Sequence, residues 1–168
     1  MTNFTVKGPF VVPVEKKKAG RIVRASDGVD FFKQNNSFAD KVGCYIFVIR
    51  AGGGITPVYV GKTTNRFDKE CFTPHKLGKY NEGLASYQKG TPVMFFVVLP
   101  SKRGKNNNTH IGKLETFLIQ TARTRNPELM NVQGVAAEDW SIAGCIRSSQ
   151  GKPTKAIKEF KKMFREKK

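Results

Sequence analysis

GCYIFVIR at residues 43–50, AGGGI at 51–55 and TPVYVG at 56–61 form the stretch on which the fold turns. The first run is apolar on nearly every residue and rich in β-branched and aromatic side chains, which predicts a central strand. The glycines that follow supply a turn. The second run returns as another strand, so the two form a hairpin. VMFFVVL at 93–99 reads as a third buried strand, closed by Pro100. Between the second and third strands, residues 65–87 read as helical pieces interrupted at Pro74 and Gly83. Strands apolar on both faces need a helical cover on each. The expected fold is therefore α/β: a small three-stranded antiparallel sheet flanked by helices.

Outward from that centre, residues 1–40 read as an N-terminal extension packing on or near the core. Its FVVPV at 10–14 suggests a short edge strand, with Pro13 limiting the pairing. Lys16, Lys17, Lys18, Arg21 and Arg24 make a basic stretch that reads equally as a solvated loop or as an arm against a phosphate backbone. After the basic loop at 101–108, Thr109 has the character of an N-cap, and a helix follows to about Arg125, where Asn126-Pro127 ends it. Residues 136–168 read as a C-terminal extension. Its last stretch, 154–168, is a basic amphipathic helix with Ile157, Phe160 and Phe164 on one face.

The chain has 168 residues, 13 of them Phe, and a formal charge of +17. That is enough apolar material for one core, and more positive charge than solubility requires. The charge must face solvent, where it attracts polyanions. Nucleic acid is the expected partner, and an anionic membrane surface is the weaker alternative. Cys44, Cys71 and Cys145 lack metal-ligand spacing and fit a reducing compartment. No apolar run approaches the ~20 residues of a membrane span. Lys7, Gly8 and Pro9 break any signal-peptide pattern at the N-terminus. The expected location is cytoplasmic.

Three groups of residues carry candidate chemistry. In the helix after the basic loop, Ile111, Leu114, Leu118 and Ala122 share a face, and Glu115 lies at or beside it. A semi-buried carboxylate there needs a partner, either a metal ion or a surface lysine. Tyr45 and Tyr59 occupy parallel strand contexts, where tyrosines commonly pack. Lys62 and Arg66 follow the second strand and suit a phosphate, Arg in bidentate fashion. Gly61-Lys62-Thr63 is not a P-loop, because that pattern needs glycine where Thr56 stands.

In this order, the elements resemble the GIY-YIG nuclease superfamily. Gly43-Cys44-Tyr45 is similar to its first motif and Tyr59-Val60-Gly61 to its second. Lys62, Arg66, the helical Glu115 and Asn131 follow in the family's sequence, across roughly residues 41–132. The resemblance implies a nuclease domain over 41–135 and a divalent-metal-dependent endonuclease acting on nucleic acid, DNA favoured over RNA. It also implies one Mg²⁺ or Mn²⁺ held by Glu115 and mostly by water. Tyr45, Tyr59, Arg66, Glu115 and Asn131 are then catalytic, and Gly61, Lys62 and Arg66 bind substrate. Many members carry Tyr or His one helical turn after the Arg, where this chain has Glu70. His75 is the candidate replacement, with Tyr80 beyond it. The alternative from another class is a basic nucleic-acid-binding module that keeps the fold without catalysis.

Overall fold

The computed structural model describes residues 3–18, 20–87, 89–99, 106–131 and 133. The C-terminal helix expected at 154–168, with most of the basic loop at 101–105, lies outside them. The described elements are β1 (Thr5–Val11), β2 (Glu15–Lys17), β3 (Gly20–Ile22), α1 (Ala25–Gln34), a single 3₁₀ turn (Asn36–Phe38), β4 (Val42–Ala51), β5 (Gly54–Thr63), α2 (Phe67–Glu70), α3 (Pro74–Ser86), β6 (Thr91–Leu99) and α4 (Asn106–Arg125). They belong to one compact unit, Met1–Val135. The architecture is mixed α/β.

β4 and β5 pair antiparallel from Gly43↔Thr63 to Ala51↔Gly54. The connection is two residues, Gly52 and Gly53, with φ of 56° and 80°. Positive φ at both turn positions matches the twist of a tight hairpin, and glycine takes it without strain. Gly43 is demanded by space as well as conformation: a Cβ there would run into the Val97 carbonyl of the neighbouring strand.

The main sheet has four strands, ordered β1-β6-β4-β5, where three were expected. The added strand is β1, which pairs antiparallel with β6. It starts at Thr5, upstream of the expected FVVPV segment, and its ladder stops before Pro13, which has no N–H to give. Most of its side chains are exposed, so no buried alternation marked it in the sequence. β2 and β3 form a separate two-stranded hairpin. It is anchored by Arg21, whose guanidinium donates to the carbonyls of Gly90 and Tyr87. One member of the basic stretch is therefore a structural tie.

The sheet is covered on both faces. Alternate residues of β4 divide between them, as strand geometry requires. Tyr45, Phe47 and Ile49 face a core built with Phe31, Phe32, Phe38, Phe67, Phe72, Tyr80 and Leu84. Cys44 faces Ile111, and Val60 of β5 faces Ile119 and Ala122, so α4 closes the second face. Phe10, Phe31, Phe32 and Phe38 all come from residues 1–40 and stack among themselves or against Phe96 of β6.

The helices between β5 and β6 run differently from the expectation. Pro74 opens α3 at its first turn, where a missing N–H costs nothing. Gly83 does not break it, because Gly83 sits where any Cβ would collide with Val58. α4 begins at Asn106, one turn before Thr109, and ends at Arg125 as expected.

Candidate active site

β5 is the edge of the sheet, and its outer rim carries the site. Consecutive residues of the strand point to opposite faces. Tyr59 therefore projects toward α3, and Lys62 toward α4. Beyond α4, the chain doubles back along the rim. Met130 N donates to Val58 O at 2.8 Å. Asn131 Nδ2 donates to Val60 O at 2.7 Å, and its Oδ1 accepts from Val60 N at 2.9 Å. The Asn131 amide thus behaves as one residue of a partner strand. It satisfies both backbone groups of Val60 that an edge would leave bare.

A cleft of about 550 Å³ opens along this rim. It brings together Tyr59, Lys62, His75, Glu115 and Asn131, five of the residues expected at the site. Lys62 Nζ lies 2.8 Å from Glu115 Oε2, so the carboxylate that needed a partner has a lysine. Glu115 is about one-fifth exposed (21%) and borders the cleft, leaving it accessible to water. His75 lines the cleft as an exposed residue at the start of α3.

Three expected members lie outside the cleft lining: Arg66, Tyr45 and the buried Gly61. Arg66 precedes α2 and is turned to Asp68, in a bidentate pair at 2.8 and 2.5 Å. It lines a different cavity, of about 540 Å³, with Phe32, Asp40, Lys69 and Phe72. Tyr45 is fully buried, and its Oη has no hydrogen-bond partner among the described residues. Burial pushes the Tyr45 phenol well above the ordinary tyrosine range, and the nearby Tyr80, Cys71, Tyr59 and Glu70 push the same way. Its ring lies against Gly61, where a Cβ would meet Oη at 2.5 Å. Tyr80, the other reserve residue, is also fully buried and donates to Cys71 O at 2.8 Å.

Three further charged residues line the cleft: Lys76 and Lys79, which were not singled out in the sequence, and Glu70, which stands where many members of the family carry Tyr or His. Lys76 Nζ lies 3.0 Å from Tyr59 Oη and 3.5 Å from Glu70. Thr116, Ile119, Met130 and Gln133 complete the lining. A signal for Lys76 was present: Lys76, Tyr80 and Leu84 recur every four residues, so they share the inward stripe of α3. A lysine on such a stripe must find an acceptor.

Among the described residues no three His, Cys, Asp or Glu side chains gather as a metal-binding group. Of the two carboxylates that line the cleft, Glu70 pairs with Lys76, and Glu115 is the donor placed beside open water at the expected position. That set fits Mg²⁺ or Mn²⁺, which take hard oxygen donors and keep several waters. It does not fit a closed site for zinc, which needs about four protein ligands. No helix among the described residues is long and apolar enough to cross a membrane. Comparison with family models, with curated proteins and with solved structures yields no match to this chain.

Proposed function

We propose that this protein is a divalent-metal-dependent endonuclease of the GIY-YIG type, hydrolysing phosphodiester bonds in nucleic acid, with DNA favoured. The observation that carries the reading is the cleft itself. It sets a strand tyrosine, a helical carboxylate and three lysines around one open volume at the edge where the two motif strands meet. The +17 charge supplies the polyanion attraction.

Within this reading, Lys62 and Lys79 bind non-bridging phosphate oxygens. The Tyr59 phenolate takes a proton from the attacking water as the water oxygen bonds to phosphorus. The phosphorus–oxygen bond to the leaving group breaks, and its electron pair leaves on that oxygen, which solvent then protonates. Asn131 holds Val60, and with it the Tyr59 backbone, in place. Glu115 would hold the metal ion, which when bound supplies charge stabilisation at the phosphate. Lys62, paired with Glu115 in the free protein, is exposed enough to move to a phosphate oxygen (44%).

A second reading, a binding module without catalysis, is favoured by one observation: Arg66 is committed to Asp68 outside the cleft. One experiment separates the two. Plasmid, single-stranded DNA and RNA are incubated with the full chain and Mg²⁺, Mn²⁺ or EDTA, with Glu115→Gln in parallel. Metal-dependent cleavage that Glu115→Gln lacks supports the enzyme. Tight binding with no cleavage of any substrate supports the module.

A further inference from the structure

The contact between Lys76 and Tyr59 has a direction. A lysine ammonium carries three donors and no acceptor. At 3.0 Å from Tyr59 Oη, Lys76 Nζ is therefore the donor, and the phenol oxygen must accept. The phenol's own hydrogen then points to some other acceptor. Lys76 also lies 5.5 Å from the Tyr59 ring centroid, so the hydroxyl, not the ring face, is its nearer contact. Its side chain is only 16% exposed, whereas its carboxylate neighbour Glu70 is 38% exposed and 3.5 Å away. The shorter and drier of the two contacts is the one to tyrosine, and solvent screens the ion pair.

We infer that Lys76 is the positioning residue of the Tyr59 hydroxyl. Its ammonium fixes the phenol oxygen as an acceptor and turns the phenol hydrogen toward the open cleft. It then stabilises the negative charge on that oxygen once the proton has gone to solvent. Lys76 stays an ammonium throughout, so it relays no proton. Burial works against that charge, but the hydrogen bond to Tyr59 and the negative charge of Tyr59 and Glu70 outweigh it, and the Lys76 pKa stands above the ordinary lysine value. The other titratable groups around the pair are the buried Cys71 just after α2, His75, Lys79 and Tyr80 on α3, Tyr45 on β4, Lys62 on β5 and Glu115 on α4. Of these, His75, Lys79, Lys62 and Glu115 share the cleft, while Tyr45 and Tyr80 are buried behind it.

The catalytic consequence rests on the nuclease reading of the cleft, whereas the hydrogen-bond and charge relationship does not. Two measurements keep them apart. In the first, phenolate ultraviolet absorbance is followed on raising the pH in the full chain, and the Tyr59 step is identified as the one missing from Tyr59→Phe. Lys76→Gln and Lys76→Met should move that step to higher pH, and Lys76→Arg should leave it near its parental position. Steps that stay in place in both neutral variants overturn the inference, and the pair guards against one of them misfolding. In the second, cleavage is compared. Lys76→Gln should lower kcat by on the order of 10²-fold with KM little changed, with partial recovery at higher pH and in Lys76→Arg. Parental kcat and an unchanged pH profile overturn the positioning role. If the absorbance step moves as expected but the parent cuts nothing, the nuclease reading fails and the Lys76–Tyr59 relationship stands.

Discussion

Tyr45 and Gly61 are direct cross-strand partners, and the tyrosine ring lies so close over the glycine that an added Cβ would come within 2.5 Å of its hydroxyl. The last residue of one motif and the last of the other are thus held to their types by each other, before any substrate is considered. Gly61→Ala should destabilise the fold by about 1–3 kcal/mol, the usual cost of overpacking. Tyr45→Phe should hold stability or raise it, because it removes a buried hydroxyl that has no partner among the described residues. Urea midpoints measure both. An unchanged midpoint for Gly61→Ala would mean that the ring steps aside without cost.

Alkaline pH should weaken the fold. Burial, with the Glu115 charge adding to it, raises the Cys44 thiol from 9.0 to about 12. Burial also holds the Cys71 thiol and the Tyr80 phenol well above their ordinary values. A folded state that keeps protons the unfolded chain has released loses stability as pH rises. The Cys44 contribution is fully present below pH 9.0 and is lost progressively toward about 12. Its slope should approach ~1.4 kcal/mol per pH unit. Cys44→Ala should flatten the urea-unfolding profile in that window, and a profile identical to the parent's would remove Cys44 as a cause.

The β4–β5 hairpin was legible in sequence because its apolar runs and paired glycines all specify the same local structure. The fourth strand was not, because β1 exposes most of its side chains and is a strand by virtue of its partner β6. Pro74 and Gly83 read as interruptions, yet one is a favoured helix start and the other a packing necessity against Val58. In the site, motif order singled out Tyr59 and Lys62, and helical periodicity put Glu115 beside the packed face of its helix. Arg66 could not be placed this way: sequence order puts it near the second motif, but its nearest carboxylate, Asp68, decides where it points. Lys76 was readable only by asking why a lysine shares a stripe with Tyr80 and Leu84.

Glu115→Gln should abolish cleavage of whatever substrate the parent cuts, as should EDTA in the parent, while binding survives. It also frees Lys62 from its 2.8 Å pair, so affinity for nucleic acid should hold or rise. Filter binding and gel cleavage read the two effects apart. Undiminished cutting by the variant would remove Glu115 as the metal ligand.

Arg66 gives the sharpest contrast between motif order and geometry. Its guanidinium is engaged with Asp68 and lines the cavity away from Tyr59. Lys62→Met deletes a cation of the cleft, and loss of one charge-assisted phosphate contact costs about 1.5–3 kcal/mol, roughly 10-fold or more in rate. Arg66→Met should cost much less in kcat. A larger loss in Arg66→Met than in Lys62→Met would mean that Arg66 leaves Asp68 when substrate binds, and Asp68→Asn should then preserve activity.

Tyr59→Phe isolates the chemistry from the packing. The Tyr59 ring contacts Tyr45 and Tyr80 at centroid distances of 6.4 and 5.9 Å, and phenylalanine keeps both contacts. What it deletes is the hydroxyl that accepts from Lys76 at the cleft. Stability should stay close to the parent's, offset only by the half-buried lysine losing one acceptor while retaining Glu70. The cleavage rate should fall by on the order of 10²-fold or more, the scale of a lost general base, with KM little altered because Lys62 and Lys79 remain in the cleft. Tyr45→Phe, deleting a hydroxyl buried behind the cleft, should lose far less. A Tyr59→Phe protein that cuts at the parental rate would place the base elsewhere, and His75, exposed on the same cleft, would be the next residue to substitute.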